Sequence, residues 1–218
     1  MDKIEKLNIN GNKLKVVDNF LLKKDFDSLN NLNIDKKINK EFNIFHNEIN
    51  NEGVITSEID KLLIEDLHKN YHQVALDILQ ELCPEKVKLY DYSDFTIIVT
   101  NKNSKFPIHD DTPNKLLSGV IYLSPEKNNG TSFYSDKYGK NRFDADWKCN
   151  RGVFFSRKER ETWHSYEGDG KNHRVVLVYN LMTYRIREVY KIEKKSYFLG
   201  NLRWKLNPYL FRYFKAYI

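Results

Sequence analysis

The chain has 218 residues, 40% of them hydrophobic and 14% aromatic, enough for the core of one domain with extensions or of at most two small domains. No run reaches the ~18 apolar residues of a membrane span, the opening Met1-Asp2-Lys3-Ile4-Glu5-Lys6 has no secretory pattern, and two cysteines, Cys83 and Cys149, make no disulfide framework, so a cytoplasmic protein is expected. The net charge of +6 is concentrated in residues 183–218, which carry nine Lys and Arg against two Glu, while the rest of the chain is close to neutral.

In chain order, alternation over residues 14–18 predicts a short strand, and residues 19–22 lead into a short helix near 23–29. Residues 30–51, rich in Asn, Lys and Asp, read as irregular or weakly strand-forming. Ser57-Glu58-Ile59-Asp60 is a helix start with Ser57 as N-cap. Ile59, Leu63, Leu67, Tyr71, Val74, Ile78 and Leu82 then recur at three- and four-residue steps, which predicts an amphipathic helix over 57–82, stopped by Pro84. His68 and His72 have metal-pair spacing on that helix but no third ligand nearby, so a solvated face is expected there.

From Val87 the period changes to two. Strands are predicted over 87–92 and 95–100 around a turn at Ser93-Asp94, then over 106–109, 116–123, 131–134, 152–156, 162–164 and 175–181. Residues 135–150 form a polar insertion with Tyr138, Phe143 and Trp147, which reads equally as a lid and as a solvated hairpin. Asn207-Pro208 is an N-cap followed by proline at N1 and predicts a short helix over 208–217. Basic residues beside aromatics there could bind nucleic acid, an anionic membrane surface or an anionic glycan, but the aromatics are expected to pack on the domain while the cations stay in water.

The chemistry is densest at Phe106-Pro107-Ile108-His109-Asp110-Asp111. At a strand end, alternation sets His109 and Asp111 on one side and Asp110 on the other, outward or behind the ligands. Two imidazoles and one carboxylate are the protein ligands of a facial triad, which leaves positions on iron(II) open. A lone His-x-Asp reads more readily as a loop with a capping aspartate, so the downstream context matters. The second imidazole must come from another strand, with His164 and His173 as candidates. Arg174 sits beside Val175, Val176 and Leu177, where an unpaired guanidinium is costly to bury. It therefore needs an anionic partner, and the neighbouring strand patterns offer none.

The order His109-x-Asp111, Tyr122-Leu123-Ser124, Gly130-Thr131-Ser132-Phe133-Tyr134, Gly152-Val153-Phe154-Phe155, Trp163-His164 and His173-Arg174 resembles the 2-oxoglutarate/Fe(II)-dependent oxygenases, in their prolyl-4-hydroxylase-like branch, over roughly residues 90–183. The resemblance implies an α+β, mainly β fold: a double-stranded β-helix (jelly-roll or cupin-like) core with N-terminal helices outside and a short C-terminal helix. Residues 1–182 then form a single oxygenase domain, with its core at about 86–182, and residues 183–218 a basic, aromatic extension packed on it. The resemblance implies iron(II) on His109, Asp111 and His164, the His164-to-Arg174 spacing matching the family and setting His173 aside. It further implies 2-oxoglutarate as cosubstrate, its distal carboxylate bound by Arg174 and Tyr122, with O2 as oxidant and ascorbate as an auxiliary reductant. The implied activity is C–H hydroxylation coupled to decarboxylation of 2-oxoglutarate to succinate.

The Gly-Thr-Ser-Phe-Tyr run is similar to that of small bacterial and phage oxygenases, several associated with saccharide modification. A saccharide or small molecule is thus the leading substrate class, and a peptidyl proline the alternative. Two departures bear on this: Arg174-Val175-Val176 lacks the serine that often follows such an arginine, and Val99 stands where many prolyl hydroxylases carry a tyrosine. Neither the C1-carboxylate contacts nor a prolyl substrate is therefore implied. The reading from another class is a non-catalytic β-helix binding module acting through its basic tail. Nucleic acid is not an expected partner.

Overall fold

The computed structural model describes residues 4–9, 12–32 and 41–214. The first half contains β1 (Ile4–Ile9), β2 (Asn12–Val17), α1 (Lys23–Asn30), β3 (Phe42–Phe45), β4 (Asn47–Asn50), β5 (Gly53–Ser57), α2 (Lys61–Leu82) and the short α3 (Pro84–Val87). There follow β6 (Tyr92–Thr100), β7 (Lys105–His109), β8 (Lys115–Ser124), β9 (Thr131–Tyr134), β10 (Phe143–Ala145), β11 (Gly152–Phe155), β12 (Trp163–Glu167), β13 (Arg174–Met182), α4 (Ile186–Ile192) and α5 (Tyr197–Phe214). The reading of residues 30–51 as irregular falls partly on 33–40, and the end of the predicted C-terminal helix on 215–217, both outside the described residues.

Two antiparallel sheets face each other. The larger runs β1-β2-β11-β8-β13-β6-β4-β5, with β3 also on β6, and the smaller β10-β9-β12-β7. The architecture is the expected α+β, mainly β jelly roll. Its centre is β8 and β13, which are nearly continuous apolar runs because both of their faces are covered. Alternation divides each strand between two cores. Leu117, Ile121, Leu177 and Leu181 pack toward α2 with Leu67, Ile78 and Phe95. Tyr122 and Val176 pack between the sheets with Leu14, Phe133, Val153 and Phe155. Among the described residues no helix is long and apolar enough to cross a membrane.

Several boundaries differ from the sequence reading. Helix α2 begins at Lys61 and is capped by Asp60, which accepts from the Leu62 amide at 2.8 Å. Ser57 instead ends β5. The buried Asn47 side chain collects the Glu58 amide at 2.9 Å and the Ile59 amide and Ser57 hydroxyl at 3.2 Å, and so holds this stretch out of the helix. The strand expected over 87–92 does not form: Pro84–Val87 are helical, since Pro84 suits a first helical position, residues 88–91 are a turn and loop, and β6 begins only at Tyr92. Strand β6 passes straight through Ser93-Asp94, the expected turn. Asp94 stays in the ladder because the Asn180 amide on β13 donates to its carboxylate at 2.9 Å. Helix α5 starts at Tyr197 and contains Pro208 in its interior. Its domain-facing side carries Gly200, against the Tyr190 ring, and Arg203. Tyr209, Tyr213 and Phe214 are exposed, so the expectation that these tail aromatics pack on the domain does not hold for them.

The β2–α1 corner is fixed by charge. Buried Asp18 accepts from Arg151 Nε at 2.6 Å and Lys148 Nζ at 2.8 Å. The Arg151 hydrogen bond, then Lys148, outweigh burial and hold the Asp18 carboxyl at about 2, below the ordinary 3.8. A depressed folded-state pKa adds stability above the ordinary value that is lost as pH falls through the folded one. Asp18→Asn should therefore cost roughly 1–2 kcal/mol at neutral pH. In urea melts the gap to wild type should close between pH 3.8 and about 2. A pH-independent gap would contradict this account.

Candidate metal centre

Strands β7 and β12 are antiparallel neighbours, and their register sets His109 directly opposite His164. Side chains at such paired positions project to the same face, so two residues far apart in sequence bring their imidazoles together. The rings lie 4.2 Å apart between centroids. Asp111, two residues past His109, completes the group: the three ligand atoms lie within 4.8 Å of one another. His164 Nε2 is 3.9 Å from Asp111 Oδ2. Among the described residues no other three His, Cys, Asp or Glu side chains converge in this way.

The surroundings orient each donor. His109 Nδ1 lies 2.9 Å from the Pro107 carbonyl and His164 Nδ1 lies 3.0 Å from the Thr162 carbonyl. A carbonyl only accepts, so each Nδ1 carries a proton, which leaves Nε2 as the atom each ring can offer to a metal. Burial, and then neighbouring His164, push His109 down to about 3, which keeps the ring neutral. Asp111 Oδ1 accepts from Lys115 Nζ at 2.7 Å, and Oδ2 from the Ser118 hydroxyl at 2.6 Å. Burial alone would raise the Asp111 carboxyl; Lys115, then the imidazoles, outweigh it and hold it well below the usual carboxylate range. Two imidazoles and one ionised carboxylate are a donor set that fits a divalent iron.

The triad opens on a cavity of about 180 Å³ between the sheets. Arg174, Val176, Val178 and Asn180 line it as alternate residues of β13, with Ser118 and Val120 from β8. Arg174 is buried, and its guanidinium lies against aromatic rings: Tyr166 at 3.8 Å, Tyr122 and Trp147 at 5.6 Å. Among the described residues no carboxylate pairs with it, and its Nε has no hydrogen-bond partner. Burial pulls its pKa down, yet an arginine stays charged. A larger groove of about 660 Å³ lies elsewhere, over Lys86 and Glu193, and contains no residue of the triad.

Tyr122 stands beside Arg174, but its hydroxyl is turned to Thr131, accepting from the Thr131 amide at 2.9 Å, and its ring stacks on Trp147. His173 is exposed at the end of the loop before β13. Asp110 is not outward: it is buried, accepting from Arg203 at 3.0 and 2.8 Å and from the Arg160 amide at 2.8 Å. The basic tail returns to cover it. Nor is the His68–His72 face solvated. The two rings stack on each other at 4.6 Å, His72 lies 4.7 Å from the Tyr90 ring, both Nδ1 atoms are buried, and burial lowers His68 to about 4.

Sequence reasoning missed Lys115, Ser118, Tyr166 and Asn180. Ser118 and Asn180 are inward by simple alternation with Tyr122 and Arg174, so the signal was present. It also missed a buried ionic cluster behind the metal loop. Arg157 donates to the Asp111 carbonyl at 3.0 Å, to Glu193 at 2.8 Å and to Glu159. Lys86 donates to Glu193 at 2.6 Å, and Arg203 reaches Glu159 at 2.7 Å.

No family model and no curated protein matches the sequence. Solved structures do. A Pseudomonas putida prolyl-4-hydroxylase matches with a TM-score of 0.53 and 15% identity, over 78% of this chain and 92% of that one. A Trichoplax adhaerens prolyl hydroxylase, solved with a hypoxia inducible factor peptide fragment, matches with a TM-score of 0.51 and 14% identity, over 82% and 87%. Sheet order, strand register and these likenesses agree on the fold: a double-stranded β-helix like that of those two hydroxylases.

Proposed function

We propose that this protein is an Fe(II)- and 2-oxoglutarate-dependent dioxygenase that hydroxylates a C–H bond of a saccharide or other small molecule. Residues 1–182 would be the oxygenase unit and 183–218 its extension. The observation that carries the reading is Arg174: a buried guanidinium without a carboxylate partner among the described residues, in the same cavity as His109, Asp111 and His164. An unpaired buried cation is costly, and a planar fork suits a carboxylate.

His109, Asp111 and His164 would hold iron(II), and Arg174 the distal carboxylate of 2-oxoglutarate. The chemistry supplied by that pair, when bound, is hydroxylation by O2 coupled to decarboxylation of 2-oxoglutarate to succinate. The chain's own residues do the rest. The Pro107 and Thr162 carbonyls aim the imidazoles. Lys115 and Ser118 hold the Asp111 carboxylate in place and ionised. Val120, Phe155, Val176 and Val178 keep the cavity wall apolar, which strengthens the pairing at Arg174 by excluding water. Tyr122 supports Arg174 with its ring face rather than offering an uncommitted hydroxyl.

Titration of 2-oxoglutarate against metal-loaded protein tests this. Arg174→Ala should weaken binding by roughly 2–5 kcal/mol, as for one partner of a buried charge pair. Tyr122→Phe, which loses the hydroxyl's bonds to Thr131 and the Ala145 carbonyl, should cost about 0.5–1.5 kcal/mol of stability and less of affinity. Unchanged affinity in Arg174→Ala would reject the assignment.

A further inference from the structure

The outward face of α5 is used by neither the metal site nor the core. On the inward side Gly200 lies against the Tyr190 ring, and Arg203 binds Asp110 and Glu159. Residues seven apart fall on one line along a helix, so the opposite side carries three parallel rows. Leu199, Leu206 and Tyr213 form one and Leu202 and Tyr209 a second; all five are exposed, Leu199 at 65% and Tyr213 at 69%. The bordering row is Phe198, Lys205 and Arg212, also exposed. From Lys194 to Phe214 the sequence contains no Asp or Glu, and the preceding Glu193 is buried beside Lys86 and Arg157. The face is therefore an apolar stripe roughly 22 Å long, edged by cations and free of carboxylates.

We propose that this face docks α5 onto an anionic lipid surface. Such a helix lies in the interface plane, its apolar stripe at the acyl boundary and its cations on the headgroups. Tyr209 and Tyr213 suit that depth, since each has an apolar ring and a polar tip. A second copy of this chain would meet Lys205 and Arg212 with the same cations and no acid from the same face. A nucleic acid would use the aromatics for stacking, but leaves Leu199, Leu202 and Leu206 without a role. Docking would set the groove that runs from Asp111 and Lys115 to Trp204 and Pro208 beside the lipid. The inference does not depend on the bound metal or on the proposed reaction.

The test is co-sedimentation of the full chain with vesicles of phosphatidylcholine alone and of equal parts phosphatidylcholine and phosphatidylglycerol. Wild type should partition to the anionic vesicles, less so as salt rises. The double variant Lys205→Glu with Arg212→Glu should lose roughly tenfold or more, given about 1 kcal/mol per cation near such a surface. Leu202→Glu should lose binding as well, and thermal melts of all variants should match wild type because these side chains are exposed. The proposal is overturned if wild type ignores both vesicles or prefers neither. It is also overturned if the variants bind as wild type does, if Leu202→Glu acts only by splitting a dimer, or if an RNA oligonucleotide binds more tightly than the vesicles.

Discussion

Replacing His164 with alanine should abolish metal binding and 2-oxoglutarate turnover together, while His173→Ala leaves both as they are. The two histidines lie near one another in sequence, and each could supply the second imidazole. The register decides between them geometrically. His164 lies opposite His109 on the adjoining strand, whereas His173 is exposed. Asp111→Ala should have the same effect as His164→Ala, because a facial set of three cannot spare one donor. It removes in addition the partner of Lys115 and Ser118. His68→Ala should not alter metal binding, since no third ligand joins His68 and His72 among the described residues. The readouts are metal content after dialysis and succinate formation, with a thermal melt to show that each variant folds. Full metal retention in His164→Ala would remove it from the site.

The second large effect concerns the fold behind the metal loop. Arg157→Ala should destabilise the protein by about 3–5 kcal/mol, the cost of leaving buried charges without their partner. Arg157 is fully buried. It sits at the centre of a cluster in which Lys86, Arg157 and Arg203 are balanced by Asp110, Glu159 and Glu193. Removing Arg157 leaves one buried carboxylate in excess, with Glu159 and Glu193 both losing a partner. Its Nε also holds the Asp111 carbonyl at 3.0 Å, so metal affinity should fall along with stability. Urea unfolding of the metal-free protein measures the first effect and metal titration the second. A stability loss below about 1 kcal/mol, the range of an exposed ion pair, would contradict the picture of a buried cluster.

What could be read from the sequence followed its range of interaction. His109 and Asp111 are two residues apart at a strand end, and the two-residue period alone sets them on one side. Arg174 among valines signals a buried cation in search of an anion. The apolar run of β8 and the alternation that places Tyr122 inward are equally local. By contrast, Arg157 and Lys86 bond to Glu193 across 36 and 107 positions, and no periodicity announces such a pairing. Asp110 was read as outward or behind the ligands, because alternation sets it opposite them, and it is buried under Arg203 of α5. The extension that returns to bury it could not be foreseen from the motif. Asn207-Pro208 looked like a helix start, but Arg203 and Gly200 fasten an earlier turn of α5 to the domain, and the helix runs through the proline. The same misreading concealed the exposed stripe, since a helix confined to 208–217 would have been too short to display it.

The central claim is that one cavity holds both a metal and the carboxylate of 2-oxoglutarate. Its most direct test is calorimetric titration of 2-oxoglutarate into the protein without oxygen, once metal-free and once loaded with Mn(II) in place of iron. The account predicts binding that the metal strengthens markedly, with the strengthening lost in Asp111→Ala. Equal affinity with and without metal, or no binding in either case, would contradict it.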